Sequence, residues 1–418
     1  MSNVQENHMN NMKTKVTIID QPCGSGKTSR MLKSFQRDLK YLVVVPLLSE
    51  VQRVIKDASV EFKEPLDEQG LKSENLEELL LLGLNVVTTH KLYTDVAHMA
   101  HKGLLSDYHI IIDEVLDVCR VISDKSSTSV KELYLGPKYI RVDEEDGRVV
   151  ATQKWDEQKD DINDTLDPKI YNYAKAGCLY LLNNMFFIWA LPPALLSNGL
   201  SVTIMTYKAQ GSMFQLYLKK LGITPERKVC TDEEEAAFIR KARELITVKT
   251  IPSLEKKMKF NYGGQQRFKK FPKCSKQVAT ALKNLKERDL KNVPTNEIAL
   301  TCVKSLWYKS GSKDTKDPKP GPFSINSRMF KGTNWISNTT RGTNDYSNCS
   351  TLIYLYDQHP HPHLINWLQT GRKSFSDKYA LTELIQWIWR SRVRNNQPIT
   401  IYMPSERMRK ILDDWLSS

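Results

Sequence analysis

The segment Lys15–Ser29 constrains the fold more than any other part of the sequence. It reads KVTIIDQPCGSGKTS, a short β-branched apolar run followed directly by a turn with two glycines, a lysine and a threonine. Apolar residues then recur at helical spacing, at Met31, Leu32, Phe35 and Leu39. A strand, a glycine turn and a helix in this order form the context of a P-loop, whose backbone N–H groups cradle phosphate oxygens. The sequence therefore predicts an α/β fold that binds a nucleotide.

The residues of this loop have separate expected roles. The residues expected to contact ATP are Cys23, Gly24, Ser25, Gly26, Lys27, Thr28 and Ser29. Lys27 is expected to reach the β- and γ-phosphates, and the Thr28 hydroxyl is expected to ligate Mg²⁺. Gln21 stands where the GxxxxGK[ST] pattern has its first glycine. A glycine turn that only caps a helix is the alternative interpretation.

A second motif supplies the acidic groups that a P-loop requires. In YHIIIDEVLDV an apolar strand-like run leads into Asp113 and Glu114. Asp113 is expected to hold Mg²⁺ and Glu114 to act as the base that orients and deprotonates the attacking water. A surface loop would also explain an Asp-Glu pair that stands alone, so the prediction depends on the P-loop upstream.

Charge and composition narrow the class of partner. The 418 residues carry a formal net charge of +13, which favours a polyanionic partner. The sequence has no uninterrupted apolar run of about 18 residues, and MSNVQENHMNNMKTK lacks the apolar core of a signal peptide. The seven cysteines occur singly, which predicts neither a disulfide framework nor a zinc site. We therefore expect a cytoplasmic protein that binds nucleic acid and no membrane.

These motifs together resemble those of the superfamily 2 helicases, the group that includes the DEAD-box and DEAH-box proteins. PCGSGKT is similar to their motif I and IIIDEVLD to motif II, with YLVVVPLLSEVQRV, NVVTTHKLY and VTIMTYKAQG similar to the motifs that lie between and after them. The resemblance implies contacts to a nucleic-acid strand from Pro46, Thr88, Thr89, His90 and Thr206. Tyr207 and Lys208 depart from the usual Ser-Ala-Thr.

The second half carries two further resemblances. NTTRGTND resembles motif V, which implies ATP contacts from Arg341 and Gly342 and strand contacts from Thr340 and Asn344. LTELIQWIWRSRVRNN resembles motif VI, with Trp389 in place of the usual glycine. If this segment is one helix, its Gln386, Arg390 and Arg394 share a face that points at the ATP site. Arginine suits this role because its fixed guanidinium fork neutralises charge on the transferred phosphoryl group. An ordinary basic helix face is the alternative.

The resemblance implies an α/β protein with two RecA-like domains built on mostly parallel sheets. We predict that residues 1–228 form the first domain and residues 229–418 the second. Residues 122–176 form an expected insertion in the first domain. Within it, YIRVDEEDGRVVAT predicts a β-hairpin around an Asp-Gly turn. This insertion could split a duplex or could be a surface hairpin without a function.

The positive charge is concentrated in one region. Residues 251–330 carry 18 Lys and Arg against 6 Asp and Glu, a difference of 18 − 6 = +12. Aromatic residues are interleaved in FNYGGQQRFKKFPK and in SLWYKSGSKDTKDPKPGPF. Lysines neutralise phosphates and rings stack on unpaired bases, so this region is predicted to bind a strand in the second domain.

The sequence thus predicts an ATP-dependent helicase or translocase, similar in its small size to phage helicases, with ATP and Mg²⁺ as cofactors. Its expected partner is single-stranded or forked DNA, with RNA left open, and it is expected to be a monomer that works beside replication or recombination proteins in a bacterial host. An annealing, branch-migrating or protein-displacing remodeller is the first alternative. A packaging motor or helicase–nuclease, and a degenerate binding module, are further alternatives.

Overall fold

The structure, a computed structural model, describes residues 14–67, 71–123, 127–158, 166–255, 258–340, 342–369 and 372–418. The chain divides into two compact units. The first unit contains the segments up to Ile19, Ser29–Met205 and Leu221–Arg227, and the second contains Asp20–Thr28, Thr206–Lys220 and Lys228–Ser418. Two short segments that precede residue 228, among them the glycine loop, therefore belong to the second unit.

The described strands are β1 (Lys15–Asp20), β2 (Lys40–Val45), β3 (Val86–Thr89), β4 (Tyr108–Asp113), β5 (Cys119–Ser123), β6 (Ile140–Val142), β7 (Val149–Ala151), β8 (Leu179–Leu182), β9 (Phe186–Ala190), β10 (Ser201–Thr206), β11 (Glu226–Val229), β12 (Ile246–Lys249), β13 (Ile298–Thr301), β14 (Asn334–Trp335), β15 (Thr351–Tyr354) and β16 (Ile399–Tyr402). The described α-helices are Lys27–Lys33, Leu48–Asp57, Lys72–Leu81, His90–Asp95, Ala97–His101, Ser127–Val130, Gln153–Glu157, Pro168–Lys175, Ala194–Ser197, Met213–Lys220, Asp232–Leu245, Pro252–Glu255, Tyr262–Lys270, Pro272–Arg288, Lys304–Trp307, Pro362–Trp367, Arg372–Ile388 and Glu406–Leu416. One π-helical turn covers Lys131–Leu135, and 3₁₀ turns cover Ala209–Gly211, Thr295–Glu297 and Arg392–Asn395.

The first unit is built on a six-stranded sheet among the described residues, in the order β11-β1-β10-β4-β2-β3. Strands β10, β4, β2 and β3 are parallel to their neighbours in this series. The sequences KYLVVV of β2 and YHIIID of β4 are almost wholly apolar and buried. Continuous apolar strands of this kind form where a parallel sheet is covered on both faces.

The second unit is built on a five-stranded sheet in its described part, in the order β12-β16-β15-β13-β14. All of its strand pairs are parallel. Buried side chains pack on both faces of this sheet, in one cluster that contains Trp387 and Trp389 and another that contains Trp307 and Phe323. The two parallel sheets confirm the predicted α/β class with two RecA-like domains.

The insertion in the first unit has a core of its own. Strands β6 and β7 pair antiparallel, with Ile140 opposite Ala151 and Val142 opposite Val149, which confirms the hairpin predicted around Asp146-Gly147. Beside it lies an antiparallel sheet in the order β5-β9-β8. Trp155 and Phe187 are buried in the cluster that joins these strands to the helix Pro168–Lys175. None of the helices among the described residues is both long and apolar enough to span a membrane.

Candidate nucleotide and nucleic-acid site

The loop after β1 adopts a conformation that requires its glycines. Gly24 and Gly26 have φ of +77° and +80°, the left-handed region that glycine enters without the steric cost other residues meet. Between them, the Ser25 amide donates a hydrogen bond to the Pro22 carbonyl (3.3 Å). The Gly24 and Gly26 amides donate no hydrogen bond to the described part of the chain. The loop therefore presents backbone donors with no protein acceptor, as an anion-binding loop does.

Lys27 begins the helix Lys27–Lys33 and folds back over this loop. Its Nζ donates hydrogen bonds to the carbonyl oxygens of Gln21 (2.6 Å) and Pro22 (3.0 Å). An ammonium group seated beside two unpaired amides makes the loop electropositive. Backbone amides and an ammonium group are donors of the kind that bind phosphate.

The two hydroxyl residues after Lys27 lie in the first turn of the same helix. The Ser29 hydroxyl accepts a hydrogen bond from Arg53 Nη2 (3.1 Å). Arg53 also pairs with Glu50 (3.1 Å), whose side chain is largely buried. No sequence pattern indicates this contact, because Arg53 lies 24 residues further along the chain, in another helix.

Asp113 and Glu114 form a strained turn at the carboxyl end of β4. Glu114 has φ of +64°, a conformation that costs a non-glycine residue roughly 1–3 kcal/mol. Its amide donates to the Met205 carbonyl at the end of β10 (2.9 Å). The Asp113 carbonyl accepts from His90 Nε2 (2.9 Å), so the proton of this imidazole lies on Nε2. The turn is thus held from both sides by backbone and imidazole contacts.

The residues of the VTTH segment have different environments. The Thr88 side chain is buried in β3 and 2% exposed, so it does not present its hydroxyl to a strand in this conformation. Thr89 caps the helix His90–Asp95 by accepting a hydrogen bond from the Leu92 amide (3.4 Å). Pro46 directly follows β2, and Thr89 and His90 end β3 and begin its helix, which places all three near the carboxyl edge of the sheet.

Thr206, at the end of β10, contacts two of the predicted motifs. Its carbonyl accepts a hydrogen bond from the Gln21 amide (3.0 Å). Its hydroxyl accepts one from Gln386 Nε2 (3.4 Å). Thr206 and Gln386 are both buried, at 1% and 2% exposure. One residue therefore connects the start of the glycine loop with the glutamine of the predicted arginine segment, within the second unit.

The turn after Thr206 is fixed by contacts that the sequence did not predict. Lys208 has φ of +57°, and its carbonyl accepts from the Thr382 hydroxyl (3.0 Å). The Ala209 amide donates to Asp20 Oδ2 (3.1 Å). A Cβ at Gly211 would overlap Thr382 Oγ1 and the Lys378 carbonyl, so only glycine permits this close approach to the helix Arg372–Ile388.

The two residues that depart from the usual Ser-Ala-Thr share one acidic partner. Tyr207 Oη donates to Glu235 Oε1 (2.8 Å), and Lys208 Nζ pairs with the same oxygen (2.7 Å). Burial, together with the Glu235 charge and hydrogen bond, raises the pKa of Tyr207 far above its ordinary value. The phenol therefore stays protonated and donates to Glu235. These side chains anchor the turn to the helix Asp232–Leu245.

The arginine segment is not one continuous helix, and this prediction was wrong. The α-helix ends at Ile388, and Arg392–Asn395 forms a separate 3₁₀ turn. Ser391 separates them in an extended conformation, since its hydroxyl donates to the Ile388 carbonyl (2.7 Å) and accepts from the Val393 amide (3.5 Å). A serine that bonds to nearby backbone groups competes with helical hydrogen bonds. Gln386, Arg390 and Arg394 therefore do not share a helix face.

The structure nevertheless brings Arg394 to the predicted motif V loop. Arg394 Nη1 donates to the Thr343 carbonyl (3.3 Å) and to Asn344 Oδ1. Gly342 has φ of +75°, which explains the glycine in this loop. Thr340 lies in the preceding turn, where its amide donates to the Ser337 carbonyl (3.0 Å). Arg390 is 7% exposed, and Arg341 lies outside the described residues.

The aromatic residues of the basic region are mostly unavailable for stacking on bases, contrary to our expectation. Phe260, Phe268, Trp307 and Phe323 are buried in one hydrophobic cluster. They pack there because the helices of this region cover one face of the second sheet and need an apolar side. Tyr262 and Phe271 remain exposed, at 77% and 46%.

Comparison with known proteins finds a relative along most of the chain. The chain is 27% identical over 97% of its length to the "SPbeta prophage-derived uncharacterized protein YonV" of Bacillus subtilis (strain 168), covering 99% of that protein. A family model described as "YonV C-terminal Rossmann-like domain" matches residues 240–416.

Two solved structures are also similar over most of the chain. S. tokodaii Xpd4 is 13% identical, with a TM-score of 0.43, over 96% of this chain and 94% of that chain. S. cerevisiae Dbp5 bound to RNA and ADP BeF3 is 9% identical, with a TM-score of 0.38, over 97% of this chain and 83% of that chain.

Proposed function

We propose that this protein is an ATP-dependent nucleic-acid helicase or translocase that hydrolyses ATP at the glycine loop. The observation that carries the proposal is the pair of hydrogen bonds at Thr206, from the Gln21 amide to its carbonyl and from Gln386 to its hydroxyl. A residue that bonds to both motifs can transmit a change at the phosphates to the arginine segment. This is what a motor needs when hydrolysis alters its grip on a strand.

Each residue assigned to the ATP site has its own role in hydrolysis. The Gly24 and Gly26 amides and Lys27 bind the phosphates, and Thr28 and Asp113 would hold Mg²⁺. A metal ion held there would neutralise part of the phosphate charge. Glu114 accepts the proton of the attacking water. Cys23, Ser25 and Ser29 complete the loop.

The arginines act on the opposite side of the transferred phosphoryl group. In this proposal Arg390 and Arg394 neutralise the charge that develops there, and Gln386 connects their segment to Thr206. Arg341 and Gly342 contribute to the same phosphates. Arginines in this role accelerate phosphoryl transfer by about 10³- to 10⁵-fold.

In this proposal the nucleic-acid strand is bound by the residues that the motif resemblance implies. We assign strand contacts to Pro46, Thr89 and His90 in the first unit and to Thr340 and Asn344 in the second. His90 also holds the Asp113 carbonyl at 2.9 Å, so a strand that moves this imidazole would move the Asp-Glu turn. Thr88 and Thr206 would reach a strand only if their surroundings open, because both side chains are buried.

Measuring ATP turnover tests the proposal. We expect hydrolysis that single-stranded DNA, single-stranded RNA or duplex stimulates, and the substrate that stimulates most identifies the partner. Lys27→Ala should abolish turnover, whereas Lys33→Ala, in the exposed last position of the same helix, should leave it unchanged. Wild-type turnover that is absent or unaffected by any nucleic acid would overturn the proposal.

A strand-displacement assay then separates unwinding from remodelling. Forked and blunt duplexes are compared with ATP present, and a helicase should release a strand from the forked substrate. Stimulated turnover without release from either duplex would assign the protein to the remodellers that anneal strands, migrate branches or displace proteins.

A further inference from the structure

The helices Tyr262–Lys270 and Pro272–Arg288 carry an unusual distribution of charge. Residues 256–286 contain ten Lys and Arg and no Asp or Glu. The described cations that are exposed on this stretch are Lys259, Arg267, Lys269, Lys270, Lys273 and Lys276. None of the six makes a hydrogen bond or salt bridge through its side chain with the described residues. Unneutralised cations at this density repel one another and favour a polyanionic ligand.

The same two helices expose two aromatic rings among these cations. Phe271 joins the helices and is 46% exposed, and Tyr262, at the start of the first helix, is 77% exposed. Lys270 Nζ lies 5.6 Å from the centre of the Phe271 ring. Exposed rings among cations offer faces on which unpaired bases can stack. We call these two rings and six cations the basic aromatic face.

The second helix turns one side of its surface toward solvent. Lys273, Lys276 and Thr280 are exposed at helical spacing, whereas Val278 and Leu282 are buried on the other side. Because residues three and four apart lie on one side of a helix, Lys273 and Lys276 lie on the same exposed side of this helix, while Lys269 and Lys270 end the helix before it.

The basic aromatic face is attached to the second sheet just beyond the carboxyl end of its central strand β15. The Gln265 side chain donates to the Leu355 carbonyl (2.8 Å), and the Asp357 amide donates to the Phe260 carbonyl (3.0 Å). Gln265 is buried, so this attachment is part of the folded core. The rings and cations therefore stand on a rigid support.

We propose that the basic aromatic face binds a segment of single-stranded nucleic acid, as a holding surface separate from the ATP site. The lysines and Arg267 pair with successive phosphates, while Phe271 and Tyr262 stack on unpaired bases. Both interactions are sequence-tolerant. The inference rests on the proposed function only in the class of partner, since it requires no ATP.

Equilibrium binding to short oligonucleotides without nucleotide tests this surface. The triple variant Lys269→Ala, Lys270→Ala, Lys273→Ala should bind oligo-dT more weakly and reduce the slope of log affinity against log salt by about 2, given roughly 0.7 per phosphate contact. The triple variant Lys228→Ala, Lys241→Ala, Lys410→Ala is the matched control, since these three lysines are exposed in the same unit but outside the face. A triple variant whose affinity and salt slope equal those of wild type would overturn the proposal.

A second pair of ligands tests the stacking role. Phe271→Ala should weaken oligo-dT binding by about tenfold and leave binding to an abasic oligomer of equal length unchanged. Oligo-dT and oligo-U arms distinguish DNA from RNA as the source of the strand. Equal losses on the two oligomers would contradict stacking, and binding that occurs only to phosphatidylserine vesicles would show that the face is a membrane surface instead.

The two proposals can fail separately. Lys27→Ala should bind oligo-dT like wild type, because it changes the ATP site alone. Normal strand-stimulated turnover with no effect of the face variants on binding would reject the holding surface and keep the motor. Strand binding that depends on the face, in a protein without ATP turnover, would reject the motor and keep the surface.

Discussion

The glycine loop and the arginine segment differ in what determines their conformation. In the loop, Lys27 bonds to carbonyls six and five residues before it, and two glycines supply the left-handed turns. In the arginine segment, Gln386 bonds to a residue 180 positions away and Arg394 to one 51 positions away. Short-range contacts can be inferred from a motif, but long-range contacts depend on how the whole unit packs.

The largest expected effect separates the chemistry of the two regions. Arg390→Ala should reduce ATP turnover by about 10³-fold while ATP affinity changes little, because the arginine acts on charge that develops during hydrolysis. Turnover and nucleotide binding are measured on the same protein. Arg392→Ala is the control, since Arg392 is bound instead to the Pro398 carbonyl (2.7 Å). Equal losses of affinity and turnover would mean that Arg390 is structural.

A smaller effect is expected from the backbone of the loop. Gly26→Ala forces a side chain into φ of +80°, which costs roughly 1–2 kcal/mol. We therefore expect nucleotide affinity to fall by about tenfold. Gly263→Ala, at a glycine with ordinary φ and no close neighbour, is the control. An unchanged affinity in the Gly26 variant would show that the loop is not conformationally selected for the phosphates.

A double-mutant cycle measures the contact that joins the two regions. Thr206→Val and Gln386→Leu each remove one side of their hydrogen bond, and the coupling free energy of unfolding should be about 0.5–1.5 kcal/mol. Urea unfolding of the two single variants and the double variant gives this quantity. Strictly additive losses would remove the physical link on which the proposed transmission depends.

The smallest expected effect concerns a long-range ion pair elsewhere in the second unit. Burial alone would raise the pKa of Asp357, but hydrogen bonds and charge from His359 and Arg407 outweigh it and hold the pKa below its ordinary value. Arg407 Nη1 lies 2.8 Å from this carboxylate. Arg407→Met should therefore lower the free energy of unfolding at neutral pH, by about 1 kcal/mol.

The pH dependence of that difference has a definite sign. A carboxyl whose pKa is lowered by folding stabilises the protein above its unfolded pKa of about 3.9 and loses this contribution as the pH falls through the folded value. The gap between wild type and Arg407→Met should close below pH about 4 in unfolding experiments. If the difference in unfolding free energy persisted at low pH, the stability lost in Arg407→Met would come from packing of the arginine side chain and not from its charge.

The sequence correctly predicted the elements whose conformation depends on short-range interactions. The strand before the glycine loop, the hairpin at Asp146-Gly147 and the buried parallel strands β2 and β4 all follow from apolar pattern and turn chemistry. The helix boundary at Ile388 did not follow, because Val393 stands four residues after Trp389 and so continues the helical spacing of the apolar residues past Ser391. The local bonds of one hydroxyl decide it.

The burial of the aromatic residues in the basic region also could not be predicted from the sequence. FNYGGQQRFKKFPK identifies rings and lysines but not which rings are exposed. The ring centre of Phe268 lies 5.2 Å from that of Phe323, which is 55 positions later in the sequence. Phe271, only three positions after Phe268, is exposed. Whether a ring is buried depends on the distant residues that pack against it in the folded unit.

The sequence by itself determined that this chain contains a glycine turn between a strand and a helix, an acidic strand end and parallel α/β units, because glycine stereochemistry and apolar periodicity act over a few residues. Only the tertiary structure decided that Thr206 bonds to both Gln21 and Gln386, that His90 holds the Asp113 carbonyl, and that Tyr262 and Phe271 stay exposed. Those contacts join residues tens to hundreds of positions apart, and no local preference specifies them.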